Sequence, residues 1–473
     1  ECEWKVQKLN GFYYDSGLLL DEATGRRFVV AGYNEIRVTE LDENFNAIGS
    51  SKLIINKPNS GLEGSHMYHI GDYYYIYATY GGGYDHSQTI FRSKNPFGPY
   101  EEHDGLLFEK QDIHQGGLVQ TQTGEWWTIL FKDAGTIGRI PYLEPVVWKD
   151  GWPILGDNGI DVSKGGKSYK KPNVGKEYPK TYLPTNDGFN TGKLGKQWEW
   201  NHNPDNSAWS LTERPGFLRL YTSGIVKEGT DTKLNEFLQA RNTLTQRMFG
   251  YDKEGASTST DTYGTICLDV SHMKEGDVAG LCVFQDPHAY VAVKMIDGKK
   301  RVVYYRAPWW EPKADWQGVV DDTEHYRKFS TSTGSHNDKI YLRAVANFKT
   351  NKLKFYISWD NQKWYDLGKN IETEMRYTLK IFTGNRFAIF NYATQQNGGY
   401  VDVDWFSTEE TVDENKFNDL TAIEQVESKT KRIVSRQFYN VLGVKLPIPQ
   451  HGLNIVKTRY EDGTEKTYSF VKQ

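Results

Sequence analysis

Three stretches decide the reading of this chain: YDSGLLLDEATGRRFVVAG (14–32), LEGSHMYHIGDYYYIYATYGG (62–82) and IHQGGLVQTQTGEWWTILFKD (113–133). Each has a polar residue, a short apolar strand, a turn containing glycine, a second strand, and a glycine-rich or polar end. The turn glycines Gly25, Gly71 and Gly124 lie 46 and 53 residues apart. A period of that size suits a four-stranded propeller blade. Elsewhere alternating runs such as LRLYT (218–222), YVAVKMI (290–296) and KFYISW (354–359) recur between turn residues, while helical periodicity is nearly absent. The chain therefore reads as all-β.

The repeat also points to a site. Asp15, Glu63 and His114 all open the first strand of their unit, eight to ten residues before its glycine. In a propeller the innermost strand of each blade lines the central channel, so equivalent positions converge near the axis. Two carboxyls and an imidazole at one end of a channel form a candidate acid/base constellation.

Composition narrows the function classes. The chain has 473 residues, enough for two or three domains, and a net charge of −4. That balance offers no electrostatic footprint for nucleic acid. No apolar run is long enough for a membrane-spanning helix. Aromatic residues make up 14%, alongside 45 glycines, as expected of a turn-rich β protein with ring faces to stack on a ligand. The three cysteines, Cys2, Cys267 and Cys282, form neither a disulfide scaffold nor a zinc ribbon. Cys267 and Cys282 lie in apolar runs of neighbouring strands and read as buried free thiols.

The organisation follows from texture. Residues 1–156 form the propeller part and 157–186, lysine-, glycine- and proline-rich, a surface linker. Residues 187–410 carry strands spaced as in a two-sheet sandwich. The tail 421–473 holds nine Lys/Arg against five Asp/Glu and reads as a small β appendage. The N-terminus ECEWKVQKLNG shows no leader and opens as if partway through a fold.

GLEGSHMYHIGDYYYIY (61–77) and IHQGGLVQTQTGEWWTILFKDAGTIGRIPYLEPVVWKDGWPILG (113–156) closely resemble glycoside hydrolase family 43. YDSGLLLDEATGRRFVV (14–30) is similar to the family segment that carries its middle carboxylate. The segment 187–220 resembles the concanavalin-like sandwich that follows the propeller in many β-xylosidases and α-L-arabinofuranosidases. The end of the chain resembles the C-terminal tails of secreted Bacteroidetes proteins, which implies a secreted or periplasmic location.

The resemblance implies a five-bladed propeller, of which one to two blades are expected to be missing here, and an inverting exo-glycosidase. Its expected substrates are arabinoxylan, arabinan or xylo-oligosaccharides. Glu63 matches the general acid, Asp15 the carboxylate that orients it and raises its pKa, and Arg139 an arginine that reaches the sugar. His114 matches a channel-floor histidine that helps hold a cation or water. The family's general base belongs to a first blade that this sequence does not include, so no residue is named for it, and a missing N-terminal segment or a second chain is expected to complete the propeller.

Trp127 is a candidate sugar contact, although packing between blades is the commoner fate of such a ring, and the loop-borne pair Trp309–Trp310 is another. Asp187 and Asp404 bracket the sandwich where similar domains hold a structural Ca²⁺, and no cofactor is expected for the chemistry itself. Two rival readings stand beside the exo-glycosidase: a carbohydrate-binding protein without turnover, and a related five-bladed enzyme acting on fructosides. The HQGG…GEWW…GRIPYLEPV run argues against the second.

Overall fold

The computed structural model describes residues 6, 8–81, 87–104, 107, 113–156, 169–226, 236–250, 261–307, 309–310, 319–320, 323–328, 338–368, 373–378, 381–418, 433–447, 449–450, 452–460, 463 and 465–472. Two compact units make up the chain. The first takes in Glu1–Ala134, Arg139–Lys180 and Asp252–Ala256, and the second Gly135–Gly138, Thr181–Tyr251 and Ser257–Gln473.

Unit 1 is built from three antiparallel four-stranded meanders. The first holds β1 (Gly17–Leu20), β2 (Arg27–Tyr33), β3 (Glu35–Leu41) and β4 (Lys52–Asn56). The second holds β5 (Leu62–Ile70), β6 (Tyr73–Tyr80), β7 (Ser87–Ser93) and β8 (Glu101–Glu102). The third holds β9 (Ile113–Gln120), β10 (Trp126–Asp133), β11 (Arg139–Lys149) and β12 (Trp152–Leu155). Gly25, Gly71 and Gly124 turn the first strand of each sheet into the second. These are propeller blades.

The middle sheet explains why YYYIYATY carries no polar face. Tyr74, Ile76 and Ala78 pack with Phe28, Val30, Ile36 and Val38 of the first sheet. The intervening Tyr75 and Tyr77 pack with Ile113, Leu118, Leu130 and Leu155 of the third. A strand covered on both faces has no solvent side on which to alternate. Tyrosine suits it because each ring fills the gap while its hydroxyl finds a partner: Tyr74 donates to Asp21 Oδ2 at 2.9 Å, and Tyr77 shares a hydrogen bond with Thr128 at 3.0 Å.

Unit 2 holds two sheets face to face. One has seven strands, in the order Trp198–Trp200, Leu244–Arg247, Arg386–Ala393, Asp277–Phe284, Ala289–Ile296, Lys299–Arg306 and Thr323–Lys328. The other, of eight, centres on Leu218–Tyr221, Tyr400–Ser407, Thr262–Asp269 and Lys339–Asn347. Leu218, Leu220, Ile266, Leu268, Leu281, Val291, Leu342 and Ile389 fill the space between them. Asp187 and Phe406 exchange backbone hydrogen bonds at 2.9 and 2.8 Å, tying the start of the sandwich to its last strand.

Cys267 and Cys282 are buried and free, as expected of thiols in apolar runs. Their strands, Thr262–Asp269 and Asp277–Phe284, follow one another along the chain but are not neighbours in one sheet: Cys267 lies in the eight-stranded sheet and Cys282 in the seven-stranded one. The tail forms a four-stranded antiparallel sheet from Ile433–Asn440, Lys445–Leu446, Gly452–Tyr460 and Glu465–Lys472. Among the described residues no helix is long and apolar enough to cross a membrane.

Candidate active site

The first strand of each blade carries the same irregularity. In β5, Glu63 pairs with Thr79 and His66 with Tyr77, so three steps along one strand oppose two along its partner. In β9, His114 pairs with Phe131 and Gly117 with Ile129, the same count. Before β1, the Gly32 amide donates to the Tyr14 carbonyl at 3.0 Å, while Gly17 pairs with Val30. Each blade thus has a β-bulge at the same place, and the residue after its first position has positive φ: Asp15 at 45°, Gly64 at 64° and Gln115 at 44°. Asp15 and Gln115 hold this backbone without being glycine, a strained arrangement concentrated at functional sites.

The bulge corrects the phase read from sequence. Tyr14, Glu63 and His114 are the equivalent residues, and Asp15 is equivalent to Gly64 and Gln115. The side chains nevertheless converge. The Tyr14 phenol donates to Glu63 Oε2 at 3.1 Å, bridging the first and second blades. The Gln115 amide reaches Asp15 Oδ2 at 3.4 Å, bridging the third to the first. Gln115 also packs over Gly64, where an added Cβ would stand 2.9 Å from its Cγ. Glu63 Oε1 lies over the bare backbone of Gly81, at 2.5 Å from where a Cβ would sit. Burial, then the charges of Glu63 and Asp15, push the Tyr14 phenol up to about 12.

His114 is buried and packs against the Phe131 ring at 4.7 Å between centroids. The Arg139 guanidinium lies 4.2 Å from the centroid of the same ring, with Nε 3.2 Å from Asp133 Oδ1. Phe131 thus gathers both residues, and His114 is joined through the backbone to Gln115 and so to Asp15. The arrangement has two carboxylates from adjacent blades, a phenol that touches one of them, and a guanidinium on a third blade. It can hold a proton at Glu63, and Arg139 supplies a cationic hydrogen-bond donor on the third blade.

Tyr14 and Gln115 were not singled out from sequence. Their signal is position: Tyr14 immediately precedes the motif aspartate and Gln115 immediately follows the motif histidine, the two places where a bulge re-aims side chains.

Trp127 does not join this group. It is buried, its indole N–H donates to Glu125 at 3.2 Å, and its edge meets Tyr169 at 6.4 Å between ring centroids. It stands four residues along β10 from Phe131, roughly 13 Å at the usual strand rise. The expected sugar contact is corrected to a packing role. Trp309 and Trp310 pair along the backbone with Val319–Val320, a short ladder where a loop was expected; their side chains lie outside the described residues.

Asp187 and Asp404 do not fit a shared Ca²⁺. Asp187 Oδ1 accepts from the Phe189 amide at 2.8 Å, and Oδ2 from Trp198 Nε1 at 2.8 Å and Gln197 Nε2 at 3.2 Å. Asp404 Oδ2 faces the Lys339 ammonium at 3.4 Å. Burial pushes both carboxyls up. Asp187 is occupied by N–H donors and Asp404 Oδ2 already faces a cation, which argues against a Ca²⁺ shared between them. Among the described residues no three His, Cys, Asp or Glu side chains are grouped as a metal site would require.

Residues 2–153 match the model of glycosyl hydrolases family 43, and residues 186–409 match that of the beta xylosidase C-terminal concanavalin A-like domain. The chain belongs to glycosyl hydrolase family 43. Among its family 43 relatives, a beta-xylosidase of Formosa agariphila is 33% identical over 68% of this chain and 53% of that protein. A non-reducing end alpha-L-arabinofuranosidase of Bacteroides ovatus is 38% identical over 36% of each. The solved structure of a bifunctional GH43-CE protein of Bacteroides eggerthii superposes with TM-score 0.65 at 33% identity, over 85% of this chain and 48% of that one. A family 43 hydrolase engineered to show both endo-xylanase and exo-arabinofuranosidase activity superposes with TM-score 0.66 at 29% identity, over 84% and 74%. The chain spans 53% of the Formosa agariphila protein and 36% of the Bacteroides ovatus one.

Proposed function

We propose that this family 43 protein takes part in the hydrolysis of xylose- or arabinose-containing glycans, as an exo-acting α-L-arabinofuranosidase or β-xylosidase that inverts the anomeric centre. One observation carries the reading: carboxylates of adjacent blades, Glu63 and Asp15, are tied into one cluster by Tyr14 and Gln115. In such a reaction an acid protonates the departing glycosidic oxygen while a base on the opposite face of the sugar activates water. Glu63 is the acid in this account. Asp15 adds a second carboxylate to the same cluster, and a like charge in the cluster favours the protonated form of Glu63. Arg139 contributes donors to sugar hydroxyls.

Two sheet faces support a larger assembly around this site. On the first blade Leu18, Leu20 and Leu53 are exposed, and on the third Val119, Ile129, Leu143 and Val147. Ile129 and Leu143 are cross-strand partners, so these side chains share a face. We propose that further blades cover both faces, carried by additional sequence of the kind that makes the matched relatives longer, and that they supply the base. A polymeric glycan substrate favours a location outside the cytoplasm.

The test is an assay with 4-nitrophenyl β-D-xylopyranoside and 4-nitrophenyl α-L-arabinofuranoside on the protein carrying its full natural sequence, with the product anomer followed by NMR. Release of pentose in the inverted configuration supports the reading. Affinity for xylo- or arabino-oligosaccharides without release contradicts it in favour of a binding protein.

A further inference from the structure

We propose that Tyr14 is the positioning residue of Glu63, and that by donating to Oε2 it makes Oε1 the oxygen that carries the transferable proton. The inference rests on Glu63 being the acid and goes beyond that reading in assigning the oxygen and the residue that selects it.

Tyr14 and Glu63 occupy the same bulge position in adjacent blades, so both side chains leave their strands in the same local setting and meet at 3.1 Å. A phenol has one proton to donate. When it donates to Oε2, that oxygen plays the carbonyl part of the protonated carboxyl, and the acid proton is left on Oε1. Oε1 in turn lies over Gly81, at 2.5 Å from the place a Cβ would take. The carboxyl is thus set from both ends: a donor fixes one oxygen, and the bare backbone of Gly81 leaves room for the other. Tyr14 itself is braced by Tyr33, edge-on at 5.9 Å between ring centroids, so the phenol is held by packing as well as by its hydrogen bond.

A donor on a carboxylate also favours the ionised form. Tyr14 therefore opposes Asp15: the aspartate raises the proton affinity of Glu63 and the phenol restrains it.

Tyr14→Phe removes one oxygen from a partly exposed ring and leaves the packing in place. In the ¹³C-carboxyl NMR titration of the full-length protein, the Glu63 pKa is expected to rise by roughly half to one pH unit, on the scale of one lost charged hydrogen bond. The alkaline limb of the kcat profile moves up with it, and kcat on an unactivated xylobioside falls about tenfold while KM stays within about twofold, the pattern of a lost transition-state interaction. In the reciprocal experiment, Glu63→Gln brings the Tyr14 ring titration down toward the ordinary phenol range. An unchanged Glu63 titration in Tyr14→Phe, or a loss that appears only in KM, overturns the proposal. The two levels separate cleanly: if Glu63→Gln abolishes hydrolysis but Tyr14→Phe moves neither titration nor kcat, only the positioning role fails. If Glu63→Gln leaves hydrolysis intact, the acid assignment fails.

Discussion

Gln115 Nε2 reaches to 3.4 Å from Asp15 Oδ2, an aspartate one hundred residues earlier in the chain. The two residues hold the same left-handed backbone, at φ 44° and 45°, in the third and first blades. The third equivalent position is Gly64, on which Gln115 packs. Gly64→Ala would force a side chain into left-handed backbone, a cost of about 1–2 kcal/mol, and push Gln115 away from Asp15. Chemical denaturation is expected to show a stability loss of that size or more, accompanied by loss of hydrolysis, because Glu63 is the adjacent residue. Full activity in Gly64→Ala would mean that the bulge does not place Glu63.

Asp21 clamps the first two blades and should make stability depend on acid pH. Burial alone would raise its pKa, but hydrogen bonds with Thr24, His69 and Tyr74 outweigh it and hold the carboxyl down to about 2. A folded-state pKa below that of the unfolded chain contributes stability above the unfolded value of about 3.9, and that stability disappears as pH falls toward 2. Asp21→Asn is expected to cost about 2 kcal/mol at neutral pH and to flatten the stability profile between pH 4 and 2. Urea midpoints measured across that range check both.

Trp127 serves packing in this account. Trp127→Ala is expected to destabilise the protein by about 3–5 kcal/mol, as for other buried large-to-small changes, and to leave KM for a pentoside unaltered in the protein that remains folded. A raised KM with an unchanged denaturation midpoint would restore the ring as a sugar contact.

Chelation should leave the sandwich untouched. Asp404 faces Lys339 and Asp187 is saturated by Trp198, Gln197 and the Phe189 amide, so EDTA is expected to leave the melting temperature unchanged. A fall of several degrees, reversed by Ca²⁺, would show a metal that these contacts do not accommodate.

These expectations depend on features of unequal visibility in the sequence. The blade repeat is legible because tight turns need glycine, and Gly25, Gly71 and Gly124 mark the same turn three times. The motif acids Asp15 and Glu63 are legible as a pair for the same reason. The bulge is not: only Gly64 of the three left-handed residues is a glycine, so the sequence carries no mark of its register and the turn spacing places Asp15 one residue off. The packing of Trp127 depends on Tyr169, which lies in the segment read as a linker. The strands of Cys267 and Cys282 read as neighbours because a chain that crosses between sheets leaves no local mark. The resemblance implies calcium at Asp187 and Asp404, and the donors around each carboxylate, which argue against it, leave no mark in the sequence.

The central claim is that Glu63 gives its proton to the departing oxygen, and leaving-group dependence tests it most directly. kcat/KM is measured for native protein and Glu63→Ala on an unactivated xylo- or arabino-disaccharide and on the matching 2,4-dinitrophenyl glycoside, whose leaving group needs no proton. The account predicts a loss of about 10²–10⁴-fold on the disaccharide, the usual contribution of general acid catalysis, and a loss within about tenfold on the activated glycoside. Equal losses on both substrates would contradict it.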